Sequence, residues 1–476
     1  MNHLFPTPLF LRDTAAAPIV IPKEPKRDWA WGLITGHRLY SVSYLILGIA
    51  FLYVFQDLVW PHGRPALTLP EYIWSCFSLL WITGGVVPGT AGFIGQLMYK
   101  HPDDLDDVQP TTQKIVFRIV SRGTNRDALI ATIRSCQDEM KKTPLFPYLI
   151  QVVTDITDLP LRIAFPDVDF VSVPYEYRTP HGSRFKARAL HYASLIESSL
   201  ITDDTWIFFL DEETHITSSC IKGTCKMMHE QKDALMPKIG QGAILYHRLW
   251  KKFPILTLAE SIRTGDDFAR FYFQHKLGIA LFGLHGSFIL MRNDVIQKAG
   301  GFDFGPDGDI TEDAFLALKL MGMGYRLGWV EGYAEEQSTQ SILDFVMQRC
   351  RWWQGLAKVS LYAPAHFGWR ICLGINTVLW ALAPFAMIYT IAHFFFGNEV
   401  NPIIRFLANY SYSTFITLYL IGLQANMREH GITNPLQKTF WWILQILLFP
   451  LFALLESIGV MWAMVKPSQG FHVVKK

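Results

Sequence analysis

Charge is what this 476-residue chain has least of. Only 18% of its residues are Asp, Glu, Lys or Arg, against about 25% in soluble domains. The formal net charge is +2, and no basic stripe runs along any segment, which excludes a nucleic-acid partner. Cysteine is also sparse. The six (Cys76, Cys136, Cys220, Cys225, Cys350, Cys372) are scattered. Cys220 and Cys225 are close together but have no second Cys/His pair at zinc spacing. Neither a zinc module nor a disulfide framework is implied, and reduced thiols are the simpler reading. Internal repeats and low-complexity tracts are absent. A secretory signal peptide is not indicated, because the first apolar run begins near Leu39, after a polar stretch with Lys23, Lys26, Arg27 and Arg38. That order suggests a signal anchor with residues 1–38 in the cytosol.

What the chain has in excess is apolar residues, 50% of the total, and they collect at the two ends. Segment 39–60 is long enough to span a bilayer. Segment 72–99 is apolar too, with Gly84, Gly85, Gly89, Gly92 and Gly95 allowing close helix packing. Residues 39–99 therefore read as a transmembrane hairpin that returns the chain to the cytosol, followed by an acidic linker. Residues 341–366 read as an amphipathic interface segment rich in Trp and Arg. Within 367–465, segments 371–396 and 403–424 read as spans. Segment 440–465 contains Pro450 and Glu456, and an acid in the bilayer is costly, so it reads as interfacial or re-entrant. Lys466, Lys475 and Lys476 favour a cytosolic tail over 466–476.

Between the apolar ends, residues 100–340 change character. β-Branched runs at 115–120, 148–153, 169–173 and 206–210 alternate with amphipathic stretches, the pattern of a mostly parallel sheet with helices on both faces. In such sheets ligands bind outside the carboxyl ends of the strands. Three runs end in polar residues there: Ser121-Arg122, Thr154-Asp155 and Asp211-Glu212-Glu213. Acidic residues also begin ordinary loops, and for any one strand that is the simpler account.

Asp211 and Glu213 would project to one side of an extended segment. Two hard oxygen ligands suit Mg²⁺ or Mn²⁺, with water and phosphate oxygens in the remaining positions. A solvated acidic turn is the alternative. Thr311-Glu312-Asp313 precedes an amphipathic helix. Asp309 and Glu312 match a capping box, which accounts for both without function and leaves Asp313 as a candidate general base. Gln348, Arg351 and Trp352 are spaced i, i+3, i+4 and share a helix face. That face offers an amide, a guanidinium suited to phosphate and an indole that can stack on a sugar; interfacial helices carry Arg and Trp in any case. Lys186 and Arg188 could reach a diphosphate, or be surface charge. His285-Gly286-Ser287 is either a close backbone approach to an acceptor or a plain turn.

The order of these elements is more specific than any one of them. Asp155, D-x-E at 211–213, TED at 311–313 and QxxRW at 348–352 follow the order of family 2 processive-type glycosyltransferases, and residues 114–360 resemble that family's membrane-bound branch. The resemblance implies a GT-A-like α/β domain inserted between membrane helices. The stretches FKARALHYA (185–193), WIFFLDEETHIT (206–217), IGQGAI (239–244) and LDFVMQRCRWWQG (343–355) are most similar to Egghead-type β-1,4-mannosyltransferases. The tail GFHVVKK resembles the F-x-V-T-x-K gating loop of cellulose synthases, with Val474 where that pattern has Thr.

Roles follow from the resemblance alone. The catalytic group would be Thr311, Glu312 and Asp313, with Asp313 as base. The donor would be held by Ser121, Arg122, Asp155, Lys186, Arg188, Asp211, Gln348, Arg351 and Trp352, with Phe471, Val473 and Lys475 from the tail. The acceptor would meet His285, Gly286 and Trp352; HGS at 285–287 stands where the family has KGS. A divalent cation, Mg²⁺ or Mn²⁺, would sit on Asp211 and Glu213. The implied reaction is inverting transfer of mannose from GDP-mannose to a glycolipid such as glucosylceramide. It would take place on the cytosolic side of a multi-pass protein of the ER, Golgi or plasma membrane. A processive hyaluronan- or glucan-like synthase using a UDP-sugar is the alternative. A transporter would need paired intramembrane polar residues and inverted repeats.

Overall fold

The structure is a computed structural model and describes residues 38–59, 68–99, 105, 107–156, 158–196, 200–396 and 401–466. Two helices open it, α1 (Arg38–Val59) and α2 (Leu69–Met98). The middle of the chain then alternates strands and helices: β1 (Ile115–Ser121), α3 (Arg126–Lys142), β2 (Tyr148–Thr154), α4 (Leu159–Ala164), β3 (Val168–Ser172), α5 (Phe185–Leu195), β4 (Trp206–Asp211), α6 (Ser218–Glu230) and β5 (Ile239–Leu245). Helix α7 (Pro254–Asp266) passes through a π-helical turn, Asp267–Phe271, into α8 (Tyr272–Leu277). After β6 (Ile289–Arg292), α9 (Asn293–Lys298), α10 (Glu312–Gly322) and β7 (Leu327–Glu335) come four long helices: α11 (Ile342–Tyr362), α12 (Phe367–Phe396), α13 (Pro402–Glu429) and α14 (Pro435–Val465).

The seven strands form one sheet in the order β3-β2-β1-β4-β6-β5-β7. All neighbours are parallel except β6, which runs against both β4 and β5. This is the mostly parallel, helix-covered sheet expected. The four apolar runs form β1 to β4, and the near-continuous burial of β1, β2 and β4 is what a strand covered on both faces requires, while β3 lies at the edge and is less buried. One core holds Phe117, Phe208, Phe288 and Val330. The other packs Ile207, Phe209, Leu316 and Leu320.

Three helices among the described residues are long and apolar enough to cross a membrane: Arg38–Val59, residues 367–389 and Pro435–Val465. The segment read as interfacial or re-entrant is one unbroken 31-residue helix that runs through Pro450. Its acid is accommodated by pairing, since Glu456 Oε1 accepts from Arg349 Nε at 2.7 Å. Helix α13, expected as a span, is less apolar because other helices enclose it. Asn409, Ser411, Ser413, Thr414, Thr417, Gln424 and Asn426 are all buried, and some bond across to neighbouring helices (Gln56 to Asn409 at 2.9 Å, Gln424 to Tyr44).

Helices α7 and α13 touch backbone to backbone. A Cβ at Gly265 would lie 1.9 Å from the Leu418 carbonyl oxygen, and one at Gly422 would lie 1.8 Å from that of Ser261. This reciprocal contact fixes the sheet domain to the C-terminal helices. Gly422→Val should therefore cost about 3 kcal/mol or more, since neither backbone can yield as a side chain could. Thermal unfolding of the detergent-solubilised variant checks this. An unchanged midpoint would mean that the two helices separate at little cost.

Candidate active site

Register brings the strand ends together. Ser121 pairs with Thr154, and Val120 with Asp211, so β1, β2 and β4 finish along one edge. The antiparallel β6 completes it. Because Ile289 pairs with Phe209, the residues just before β6 lie beside the end of β4. Gly286 arrives next to Asp211 by this route.

A charged cluster surrounds Gly286. Lys186, in the first turn of α5, donates from Nζ to Asp211 Oδ1 at 2.5 Å and to the Gly286 carbonyl at 2.6 Å. Its Nζ lies 3.4 Å from Glu312 Oε1. A Cβ placed on Gly286 would stand 3.1 Å from Lys186 Nζ, 3.2 Å from Asp313 Oδ2 and 3.9 Å from Asp211 Oδ2. A side chain at 286 would therefore press on the ends of Lys186 and Asp313, which would have to give by a few tenths of an ångström. The two non-glycine residues with positive φ among the described residues flank this contact: Phe185 (54°) precedes Lys186, and Phe288 (55°) follows Ser287. Backbone strain of this kind persists only where packing over-determines it, and it gathers at functional sites. The Phe288 ring is held by stacking on Phe208, with centroids 5.1 Å apart.

The acids at 309–313 do not behave as a capping box. The N-cap of α10 is Thr311, without a side-chain cap bond. Asp309 turns away to Arg184 Nε at 2.7 Å, and Glu312 faces Lys186. Capping, the simpler account of these residues, therefore fails, and Glu312 and Asp313 both join the cluster. Burial, the neighbouring Glu312 charge and, in the opposite sense, Lys186 together set the Asp313 carboxyl at about 7. Burial also raises Glu312. Lys186 is pushed above its ordinary value: burial works against its charge, but Asp211 and Glu312 outweigh it. Arg351, on α11, is lowered by burial and supported by the charges of Glu312, Asp211, Asp313 and Glu213. Four carboxylates therefore face Lys186 and Arg351, and Glu213 also faces Arg248.

The remaining expected residues fall into groups. Asp155 lies at the same edge, its carboxylate 2.5 Å from Arg188 Nη2, and Arg122 is exposed nearby. Ser121 is bound to Glu212, whose backbone oxygen accepts from Thr132 Oγ1 at 2.7 Å. Glu212 is thus the residue of the acidic trio that braces β1 against β4. The Glu213 carbonyl accepts from Arg248 Nη1 at 3.0 Å. His285 does not join the cluster. Its Nε2 lies 3.0 Å from Asp267 Oδ1 and its ring packs on Phe271, centroids 4.3 Å apart. Gln348 is buried. The Trp352 ring carries two guanidinium groups, Arg263 at 4.5 Å and Arg349 at 4.6 Å from its centroid. Phe471, Val473 and Lys475 lie outside the described residues.

Sequence reasoning missed Arg349, Glu260, Arg263 and Asp267. Glu260, Arg263 and Asp267 lie on α7 and the π-turn, a segment without a motif. A π-turn inside a helix, common at functional sites, leaves no mark in the residue pattern. Among the described residues no group of three or more His, Cys, Asp and Glu side chains is arranged to hold a metal ion.

Several known proteins are similar to this chain. The β-1,4-mannosyltransferase egh of Drosophila melanogaster is 29% identical over 366 residues, 76% of this chain and 78% of its own length. The β-1,4-mannosyltransferase bre-3 of Caenorhabditis elegans is 27% identical over 459 residues, 92% of this chain and 97% of its own. Among solved structures, the mannosyltransferase PcManGT of Pyrobaculum calidifontis, in complex with GDP-Man and Mn²⁺, aligns over 82% of this chain and 99% of its own. Its TM-score is 0.46 and its identity 13%. A family model described as glycosyl transferase family group 2 matches residues 206–455, just over half of the sequence. That match takes in Asp211, Asp313 and the QxxRW segment, and the chain belongs to that family of glycosyltransferases.

Proposed function

We propose that this glycosyltransferase moves mannose from GDP-mannose, with inversion, onto a hydroxyl of a β-glucosyl lipid at the cytosolic face of a membrane. One observation carries the chemistry: Asp211, Glu312, Asp313 and Lys186 converge on a glycine at the carboxyl edge of the sheet, with Asp313 near pH 7. The choice of mannose rests on the relatives, which are named β-1,4-mannosyltransferases over most of this chain's length. The lipid acceptor is supported by the three apolar helices.

In this reading Asp313 accepts the proton of the acceptor hydroxyl as its oxygen attacks the anomeric carbon. The bond from that carbon to the β-phosphate oxygen breaks, and GDP leaves with the electron pair. The transition state is oxocarbenium-like, as in inverting glycoside hydrolysis. A base with its pKa close to the working pH suits this step. Arg351 and Gln348 bind the diphosphate, and Lys186 can turn from Asp211 to a phosphate oxygen. Arg188 and Asp155 lie where the nucleoside would enter. Gly286 leaves room for the acceptor beside Asp313.

The charge balance of the cluster supports a divalent cation. Lys186 already occupies a cationic position bounded by oxygens of Asp211, Glu312 and Gly286, and the cluster still has more carboxylates than cations. Asp211 and Glu213 would hold Mg²⁺ or Mn²⁺, the other positions going to phosphate oxygens and water. Bound there, the ion would stabilise charge on the departing diphosphate.

Purified protein in detergent with glucosylceramide and Mn²⁺ should release GDP from GDP-mannose only when the acceptor is present, adding one sugar. Release from a UDP-sugar instead, with a polymer ladder, would establish the processive synthase and retire the mannosyl reading.

A further inference from the structure

The QxxRW segment contains a residue that its motif leaves unspecified. Arg349 sits between Gln348 and Arg351 and points about 100° around the helix from Gln348. It is 1% exposed, as is its partner Glu260. Nη2 and Nη1 reach the Glu260 carboxylate on α7 at 3.0 and 3.3 Å, and Nε donates to Glu456 on α14 at 2.7 Å. The guanidinium lies over Phe345 at 3.8 Å and Trp352 at 4.6 Å, one turn to either side. Arg263 stands 3.9 Å from Glu260, so two arginines and two glutamates make a balanced group. Gly459 lets α14 come this near, because a Cβ there would meet Arg349 Cβ at 2.8 Å.

Such a group is a poor source of stability. Desolvating buried charges costs about as much as their attraction returns, and apolar replacements are often neutral. What a multiply bonded guanidinium does supply is geometry, since its planar fork fixes each partner. Its remaining contact is therefore informative: Nη1 also donates to Oε1 of Gln348. A guanidinium has only donors, so the contact decides which end of the amide faces it. The Gln348 oxygen is turned to Arg349, and its NH₂ is the part left for another partner.

We infer that Arg349 is a positioning residue acting through Gln348. Held by Glu260 and by Glu456 of the apolar helix α14, it locks the Gln348 amide so that the site is offered donors and no acceptor. The partner is an oxyanion or hydroxyl oxygen, and under the proposed function this is the donor diphosphate. The inference rests on that assignment of Gln348.

A double-mutant cycle separates the two claims. Arg349→Lys keeps the charge but loses the planar fork that fixes each partner. It should lower kcat/KM for GDP-mannose about 30-fold, the order expected for a charged hydrogen bond misplaced, mostly through KM. Gln348→Ala should cost at least as much. Adding Arg349→Lys to Gln348→Ala should then cost less than about threefold more, because the residue it acts through is gone. Losses that multiply, with a matching fall in the unfolding midpoint, would make Arg349 a structural residue only and overturn the inference. A Gln348→Ala enzyme as active as wild type would instead remove Gln348 from the donor site, and the inference with it. Glu456→Gln, which removes one anchor and leaves the arginine, repeats the cycle should Arg349→Lys fail to fold.

Discussion

Asp313→Asn should all but abolish transfer and stabilise the protein at pH 8. The first effect follows from the base. Asparagine cannot take the acceptor proton, and loss of general-base catalysis costs about 10²- to 10⁴-fold in kcat. Donor binding should survive, because Lys186 and Arg351 are untouched. The wild-type rate should rise with pH to a plateau as Asp313 loses its proton, and a cation bound beside it should move that rise below the metal-free value of about 7. The second effect follows from linkage. An unfolded aspartate titrates near 3.9, whereas the folded carboxyl titrates near 7, so between these values the folded state binds more protons. Its contribution to stability is present at low pH and lost as pH rises through 7. An uncharged asparagine removes that loss. The variant should therefore gain more in unfolding midpoint at pH 8 than at pH 5, measured without divalent cation. Wild-type-like turnover in Asp313→Asn would remove Asp313 as base, and an equal gain at both pH values would mean that its carboxyl is not raised.

The parts of this site that were legible in the sequence are those written as local pattern. Four apolar runs bounded by polar residues give β1 to β4 and their shared edge. Spacing along α11 groups Gln348, Arg351 and Trp352. What was not legible depends on contacts between distant segments. Strands β5, β6 and β7 carry weak signals: β5 contains Gly240 and Gly242, β6 has four residues, and β7 contains Gly328 and Gly332. Yet the antiparallel β6 is what carries Gly286 to Asp211. The 309–312 spacing satisfies a capping rule that the structure does not use, because Arg184, 125 residues earlier, takes Asp309. Glu456 looked out of place in an apolar helix only because its partner, Arg349, is 107 residues away. His285 was grouped with its neighbour Gly286, although their environments differ: one packs on the π-turn and the other opens on the carboxylates.

Lys186→Met should be the most destabilising single change in the cluster. The lysine pairs with both Asp211 and Glu312; it and Glu312 are largely withdrawn from water, and Asp211 partly so. Removing one member of such a group strands the other charges, at about 3 kcal/mol. Glu312→Gln in the same chain should restore part of that loss, since it deletes one of the stranded charges. The variant also tests the cation site without reference to turnover. If Asp211 and Glu213 take Mn²⁺, the ion can replace the missing ammonium as counter-charge to Asp211. Wild-type protein gains less, because its lysine competes for the same carboxylate. Saturating Mn²⁺ should therefore raise the unfolding midpoint of Lys186→Met by more than that of wild type, the excess growing with Mn²⁺ concentration as expected for binding to the folded state. Equal shifts in the two proteins would place the ion away from Lys186, and Asp211 would then be an anchor for that lysine rather than a metal ligand.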